Sequence, residues 1–145
     1  MRIVIKEAGV EYNKKDAPLL NTPERVYKEC QELAESDTEV FAVLCLNAKN
    51  RMISSDIISC GILDQATIAP REIFRTAIMK NARCIILLHN HPTGDTTPSV
   101  EDISITKKLI ECGKMLEINV LDHVIIGSNG NFTSMRESGV LHFNQ

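Results

Sequence analysis

The chain has 145 residues, a length that suits one compact domain and leaves little room for a second. Hydrophobic residues make up 43% of it and aromatic residues only 4%, which predicts the aliphatic core of an α/β protein. The net charge of −3 and the pI near 5.8 exclude an overall positive field that would attract nucleic acid or an anionic membrane, leaving only a local basic patch for such partners.

The five Cys residues are odd in number and widely spaced, and no two of them form a Cys-x-x-Cys pair. This pattern indicates reduced thiols in a cytosol rather than a disulfide framework or a Cys-based zinc site. The first seven residues are too few and too charged for a signal peptide, and no apolar run approaches the ~18 residues that a membrane span needs. We therefore expect a soluble, cytoplasmic protein.

Residues 1–21 are polar and irregular, and we interpret them as an N-terminal arm with one edge strand at residues 3–5. The domain itself is predicted to occupy residues 22–145. It opens with Thr22 and Pro23, a capping hydroxyl followed by proline at the first helical position, which predicts a helix to about Glu35.

The next two elements are predicted to form a hairpin. Residues 40–46 form a continuous apolar run with the length and β-branching of a strand that is buried on both faces. Residues 47–50 then indicate a turn into a second strand over residues 51–59.

The second half of the chain alternates helices and strands. A helix is predicted over residues 70–81, a fully buried strand over 83–88 that stops at His89, a long helix over 98–116 and a last strand over 120–126. The expected fold is α/β of the α+β type, with a mixed or antiparallel sheet flanked by helices.

Two histidines, His89 and His91, directly follow the second buried strand. Side chains at such a strand end project from a rigid edge, where α/β proteins keep their functional sites. Taken alone, the pair could equally be polar residues of a loop, since His is common at strand ends.

A carboxylate that could join the two histidines is found by helical periodicity. Ile105, Leu109, Cys112 and Leu116 form one stripe of the long helix, and Asp102 lies one turn before them on the same face. An inward carboxylate is costly to bury unless it is paired or binds a metal.

Ser99-x-x-Asp102 is also the pattern of a plain helix-capping box, the more common interpretation of those letters alone. Together with His89 and His91 the pattern favours a metal site. Two His and one Asp leave a fourth tetrahedral position for water, as in catalytic rather than structural zinc sites.

The spacing His89-x-His91, seven residues, Ser99-x-x-Asp102 resembles the JAMM signature of the JAB/MPN metalloprotease family. The longer pattern looks like the RadC branch of that family, and it comprises residues 70–74, 89–95, 98–99, 102 and 121–123. The resemblance extends from about Pro23 to the C-terminus. Full-length RadC proteins also carry an N-terminal helix-hairpin-helix module, for which we expect no room here.

The resemblance implies a curved mixed sheet flanked by helices, the JAB/MPN or cytidine-deaminase-like architecture. It also implies one Zn²⁺ per chain on His89, His91 and Asp102, with Ser99 donating a hydrogen bond to the developing oxyanion. The implied activity is that of a zinc metallohydrolase, a peptidase or isopeptidase acting on a peptide or protein substrate through water activated by an upstream glutamate.

Two glutamates compete for the role of general base. Glu39 directly precedes the strand at 40–46, which resembles the place where the family has its glutamate, whereas Glu72 lies in the first turn of the helix at 70–81. Glu39 could instead be an exposed residue of an acidic linker, and Glu72 could simply complement the helix dipole. We favour Glu39, on resemblance more than on geometry.

Other roles remain open at this stage. His123 is interpreted as a hydrogen-bonded core histidine, or one that supports a metal ligand, because a fourth protein ligand would close the site. The alternative function is a DNA-associated repair or mobile-element factor that binds or processes nucleic acid. A non-catalytic scaffolding domain and a homodimer are further alternatives.

Overall fold

The structure, a computed structural model, describes residues 9–11, 17–61 and 68–143 of the chain. Its helices are α1, α2 and α3, with one 3₁₀ segment after α1, and its strands are β1 to β6. Helix α1 spans Pro23–Glu29, α2 spans Pro70–Met79 and α3 spans Val100–Leu116, and the 3₁₀ segment spans Gln31–Glu35. The strands β1 to β6 span, in order, Gly9–Glu11, Val40–Leu46, Met52–Cys60, Cys84–His91, Asn119–Gly127 and Phe132–Ser134.

The six strands form one sheet in the order β1-β3-β2-β4-β5-β6. Among these described strands β4 and β5 are parallel, and each other neighbouring pair is antiparallel. A parallel pair needs a long crossover connection, which α3 provides. The predicted fold class, a mixed sheet flanked by helices, is therefore confirmed.

The central strands β2 and β4 are buried because each face of the sheet carries its own hydrophobic cluster. Along β4, Ile85 and Leu87 belong to the cluster under α2 and α3, whereas Cys84, Ile86 and Leu88 belong to the cluster on the opposite face. Side chains alternate between the two faces of a strand. The continuous apolar runs of the sequence are thus explained by burial on both sides.

Helix α3 packs on the sheet through a stripe that differs from the predicted one. Ile105 and Leu109 are buried as expected, but Leu116 is 47% exposed. The helix instead approaches β5 at Gly113, where an added Cβ would overlap the carbonyl oxygen of Ile118 and crowd a methyl group of Val120. Close packing of helix on strand ends the buried stripe there.

Several predicted boundaries were wrong. The first helix ends at Glu29 and gives way to the 3₁₀ segment, because the N–H of Cys30 already bonds the carbonyls of Val26 and Tyr27. Strand β4 does not stop at residue 89 but continues to His91. The short strand β6 was not predicted, and the edge strand expected at residues 3–5 lies outside the described residues.

All five cysteines are free thiols, and no helix of the described residues is long and apolar enough to cross a bilayer. Burial raises the pKa of the Cys30 and Cys45 thiols to about 12, so both are held in the unreactive protonated form.

Candidate metal centre

The last residues of β4 deliver two imidazoles to one place. His89 and His91 are two positions apart on a strand, so they share a face, the one covered by α2 and α3. Their Nε2 atoms lie 2.9 Å apart. His89 is buried, with its ring stacked on that of Phe41 at a centroid distance of 5.9 Å, whereas His91 is half-buried at the rim.

Asp102 brings a carboxylate to the same point from the first turn of α3. Its oxygens lie 3.2 Å from the Nε2 atoms of His89 and His91, one oxygen to each ring. The same side chain completes a capping box, accepting from the N–H of Ser99 at 2.8 Å while the Ser99 hydroxyl accepts from the Asp102 N–H at 3.0 Å. The capping-box interpretation of Ser99-x-x-Asp102 is therefore confirmed, and the same carboxylate also faces the two histidines.

The close contacts among His89, His91 and Asp102 shift the pKa values of Asp102 and His91. Burial alone would raise the pKa of Asp102, but hydrogen bonds with His89 and His91 outweigh that effect and hold the pKa well below its usual value. The hydrogen bond to Asp102 also raises the pKa of His91, against the opposing effect of burial. An imidazole that donates from Nε2 to this carboxylate must release that proton before the nitrogen can bind a metal.

Hydrogen bonds behind the rings orient both imidazoles. The Nδ1 of His91 lies 2.7 Å from the backbone carbonyl of Asp95, which can only accept, so in the neutral ring this nitrogen carries the proton and Nε2 has the lone pair. The Nδ1 of His89 lies 2.8 Å from the Nε2 of His123, a fully buried residue. Burial lowers the pKa of His123 well below its usual value and keeps that ring neutral.

The residues fit a tetrahedral metal. The Nε2 atoms of the two histidines lie 2.9 Å apart, and each lies 3.2 Å from one carboxylate oxygen of Asp102. Ligand bonds of 2.0–2.1 Å in a tetrahedral zinc site require separations of about 3.3 Å between ligand atoms. Two lone pairs and a negative carboxylate meeting at this spacing repel one another unless a cation lies between them.

Glu39 is brought to the same group from β2. One ligand atom each of Glu39, His89 and His91 lies within 4.8 Å of the others, because β2 pairs with β4 and sets residue 39 beside the histidines. Glu39 is half-buried and lines the same cleft as His91 and Asp102. A glutamate in this place can serve as a general base or as an additional ligand.

Asn90 fixes the segment that carries Glu39. It lies between the two histidines but points to the opposite face, where its Oδ1 accepts from the N–H of Val40 at 2.7 Å. Its Nδ2 donates to the carbonyls of Thr38 at 3.0 Å and Ser36 at 3.4 Å. Asn90 was not among the predicted site residues, although the alternation of side chains along a strand would have placed it on the face opposite to His89 and His91.

Glu72, the competing glutamate, is not brought to the histidines. It lies in the first turn of α2 with its side chain 43% exposed and its carboxylate 3.7 Å from the guanidinium of Arg71. It does not line the cleft in front of the metal ligands. Its position matches the alternative interpretation, a carboxylate that complements the helix dipole.

A cleft of about 520 Å³ opens in front of the candidate ligands. The Ser99 hydroxyl lies on its wall, and because it already accepts from the Asp102 N–H, its own proton can be donated into the cleft. Apart from His91, all ionisable side chains that line the cleft within the described residues are acidic. The lining consists of Glu39, Phe41, Ile68, His91, Pro92, Thr93, Ser99, Glu101, Asp102 and Ile105.

The mixed sheet, the helices on its face and the histidines and carboxylates at the end of β4 together define a JAB-type, metallohydrolase-like fold. The chain belongs to the RadC-like JAB domain family, whose family model matches residues 20–140.

Similar proteins occur in distant microorganisms. A UPF0758 protein of Desulforamulus reducens is 48% identical over 111 residues, which cover 77% of this chain and 48% of the relative. A UPF0758 protein of Thermotoga maritima is 43% identical over 122 residues, or 84% of this chain and 54% of the relative, and one of Methanosarcina barkeri is 43% identical over 108 residues, or 74% and 47%. The chain spans about half the length of the curated relatives it matches.

Proposed function

We propose that this protein is a zinc-dependent hydrolase that cleaves peptide or isopeptide bonds. One observation carries the proposal: two imidazole lone pairs and a carboxylate converge within 3.2 Å of one another, with a glutamate beside them, at the wall of a cleft. Family membership supports the hydrolase class. The substrate class rests on the chemistry of the cleft.

His89, His91 and Asp102 would hold the metal. A zinc ion bound by them supplies a Lewis acid that polarises a carbonyl and lowers the pKa of water. Glu39 takes a proton from the attacking water and passes it to the leaving amine. The Ser99 hydroxyl donates a hydrogen bond to the substrate oxygen on which negative charge develops.

The lining of the cleft favours a peptide over a nucleic acid. Apart from His91, a candidate ligand, its ionisable residues are Glu39, Glu101 and Asp102, so no Lys or Arg of the described lining would neutralise a phosphate backbone. Phe41 and Ile105 offer apolar surface to side chains of a polypeptide. A DNA-associated role is therefore the less favoured alternative and an outcome of the test.

The first prediction concerns the metal. Protein purified without chelator should contain about one zinc per chain, because three protein ligands converge. His89→Ala should lose the metal, and His142→Ala, which changes an exposed histidine outside the site, should retain it. Metal analysis of the three proteins decides, and wild-type protein without any transition metal after loading would remove the basis of the proposal.

The activity test is a screen of a broad peptide library and of isopeptide-linked conjugates. We expect cleavage that stops with chelator, returns with zinc and is absent in His89→Ala but present in His142→Ala. No cleavage across the library, together with DNA binding that weakens steeply with salt, would contradict the proposal and favour the nucleic-acid role.

A further inference from the structure

A chain of buried side chains extends inward from His89. Its Nδ1 lies 2.8 Å from the Nε2 of His123, and the Nδ1 of His123 lies 2.6 Å from the hydroxyl of Thr106. Thr106 and His123 are both fully buried, one on α3 and the other on β5. The chain ends at Asp102, whose backbone carbonyl oxygen is 2.6 Å from the Thr106 hydroxyl.

The direction of every hydrogen bond in this series follows from the last acceptor, the backbone carbonyl of Asp102. A backbone carbonyl has no proton to give, so the single hydroxyl proton of Thr106 goes to Asp102. Thr106 must then accept at its oxygen, and the proton comes from the Nδ1 of His123. A neutral His123 has its lone pair on Nε2, and it accepts from the Nδ1 of His89.

His123 is neutral because its ring nitrogens contact His89 and Thr106, with no carboxylate of the described residues in hydrogen-bond contact, and because it lies wholly within the core. Burial away from water disfavours the charged imidazolium. His89 therefore carries its proton on Nδ1, and the lone pair of its Nε2 faces Asp102 and His91.

We propose that Thr106 and His123 are positioning residues that lock His89 into the tautomer able to bind a metal, an inference that rests on the metal site of the proposed function. The series of hydrogen bonds begins and ends at the metal site, since the Asp102 carboxylate would bind the metal and the Asp102 backbone carbonyl accepts from Thr106. The helix turn that supplies one ligand thus sets the proton on another.

Loss of the Thr106 hydroxyl removes the constraint on the tautomers of His123 and His89. Without that acceptor, the proton of His123 can move to Nε2, from which it donates to the Nδ1 of His89. His89 then carries its own proton on Nε2, directed at Asp102, and that nitrogen has no lone pair for a metal. Partners behind a metal-binding histidine commonly account for 10–100-fold in metal affinity.

The test compares zinc affinity in variants of the whole chain, measured by competition with a chelating dye. Thr106→Val keeps the shape of the side chain and removes the hydroxyl, and it should weaken zinc binding about 10-fold or more. Thr106→Ser restores the hydroxyl and should stay within about 3-fold of wild type, since the lock is kept. His123→Leu should weaken binding about 10–100-fold.

Thr76→Val is the matched control. Thr76 donates to the carbonyl of Glu72 one turn earlier in α2, the same local bond as in Thr106, but remote from the metal ligands. It should leave zinc affinity unchanged. Equal affinities of Thr106→Val and Thr106→Ser would overturn the proposal, as would equal losses in Thr106→Val and Thr76→Val.

A second measurement is independent of metal binding. Nitrogen-15 spectra of the histidine rings in metal-free protein should show His123 protonated on Nδ1 at neutral pH and deprotonated on Nε2. The opposite tautomer of His123 would overturn the lock even if Thr106→Val does not fold. Failure of wild-type protein to bind zinc would instead count against the proposed function, and the spectra would still decide the tautomer.

Discussion

Several residues of the candidate metal centre contribute both to the stability of the fold and to the site. Variants that test the site must therefore be chosen so that the two contributions can be separated. Asp102 caps α3 and faces two imidazoles, and Asn90 belongs to β4 while it holds the backbone on both sides of Glu39. Removing such a side chain changes stability and chemistry at once. Conservative replacements with matched controls separate the two effects.

Glu39→Gln should still bind zinc, because a general base acts on water and not as an obligatory ligand. Hydrolysis should fall by about 10²–10⁴-fold, the usual contribution of general-base catalysis. Zinc content and turnover of the purified variant are the two readouts. Loss of zinc in Glu39→Gln would show instead that Glu39 is a ligand.

Glu72→Gln is the companion variant, since Glu72 lies in the first turn of α2 away from the histidines. It should lose no more than about 1 kcal/mol of unfolding free energy and keep its activity. A collapse of activity in Glu72→Gln with Glu39→Gln intact would reverse the assignment.

Asn90→Ala should retain zinc yet lose hydrolysis. Its three hydrogen bonds hold residues 36–40, so without them Glu39 moves away from the histidines. Because Asn90 acts through Glu39, Asn90→Ala should cost little further activity in a Glu39→Gln background. Additive losses in that double-mutant cycle would refute the link.

Asn47→Ala provides the control for Asn90→Ala. Asn47 also accepts from backbone N–H groups, those of Lys49 and Arg51, but in the turn between β2 and β3. It should lower stability without changing turnover.

The sequence indicates the candidate ligands better than the buried groups that orient them, of which only His123 was singled out, as a core histidine or one that supports a ligand. His89, His91 and Asp102 are joined by short spacing and helical periodicity, and Glu39 by its place before β2. His123 meets His89 and Asn90 meets Val40 only through the register of β2, β4 and β5, which local sequence does not specify. Thr106 meets His123 only because α3 packs on β5. Buried polar partners are therefore the part of the site that needs a structure.

At the scale of elements, apolar runs locate strands better than they locate strand ends. The limits of β2 were predicted to the residue, because its burial on both faces leaves an uninterrupted apolar run. Strand β4 continues past that run, since its pairing with β5 reaches His91 and Gly127. Backbone hydrogen bonds do not depend on the polarity of the side chain, so the hydrophobic pattern ends too early.

Gly113→Ala tests the contact between α3 and β5. Glycine to alanine usually stabilises a helix interior by about 1 kcal/mol, but here the new methyl would overlap the carbonyl oxygen of Ile118. We expect instead a loss of about 1–3 kcal/mol, the cost of overpacking. Chemical denaturation measures it, with Ser104→Ala at an exposed position of α3 as the control. A stabilised Gly113→Ala protein would contradict the close packing.

At the scale of the whole molecule, the metal should act as a ligand of the folded state alone. Free zinc at a hundredfold over its dissociation constant adds about 2.7 kcal/mol to the unfolding free energy. For a chain of this size the melting temperature should rise by roughly 5–10 °C. Thermal melts with zinc and with chelator provide the measurement, and an equal rise in His89→Ala would show that the ion binds elsewhere.

The connectivity of the sheet also bears on the order in which the parts of the site form during folding. Both histidines, Asp102, Thr106 and His123 belong to one consecutive β4-α3-β5 segment, residues 84–127. Contacts between residues near in sequence require less loop-closure entropy and form faster. We expect the folding domain to be able to bind a metal ion at His89, His91 and Asp102 before β2 pairs with β4. The general base Glu39 joins the site only with β2, so hydrolysis becomes possible only when the sheet is complete.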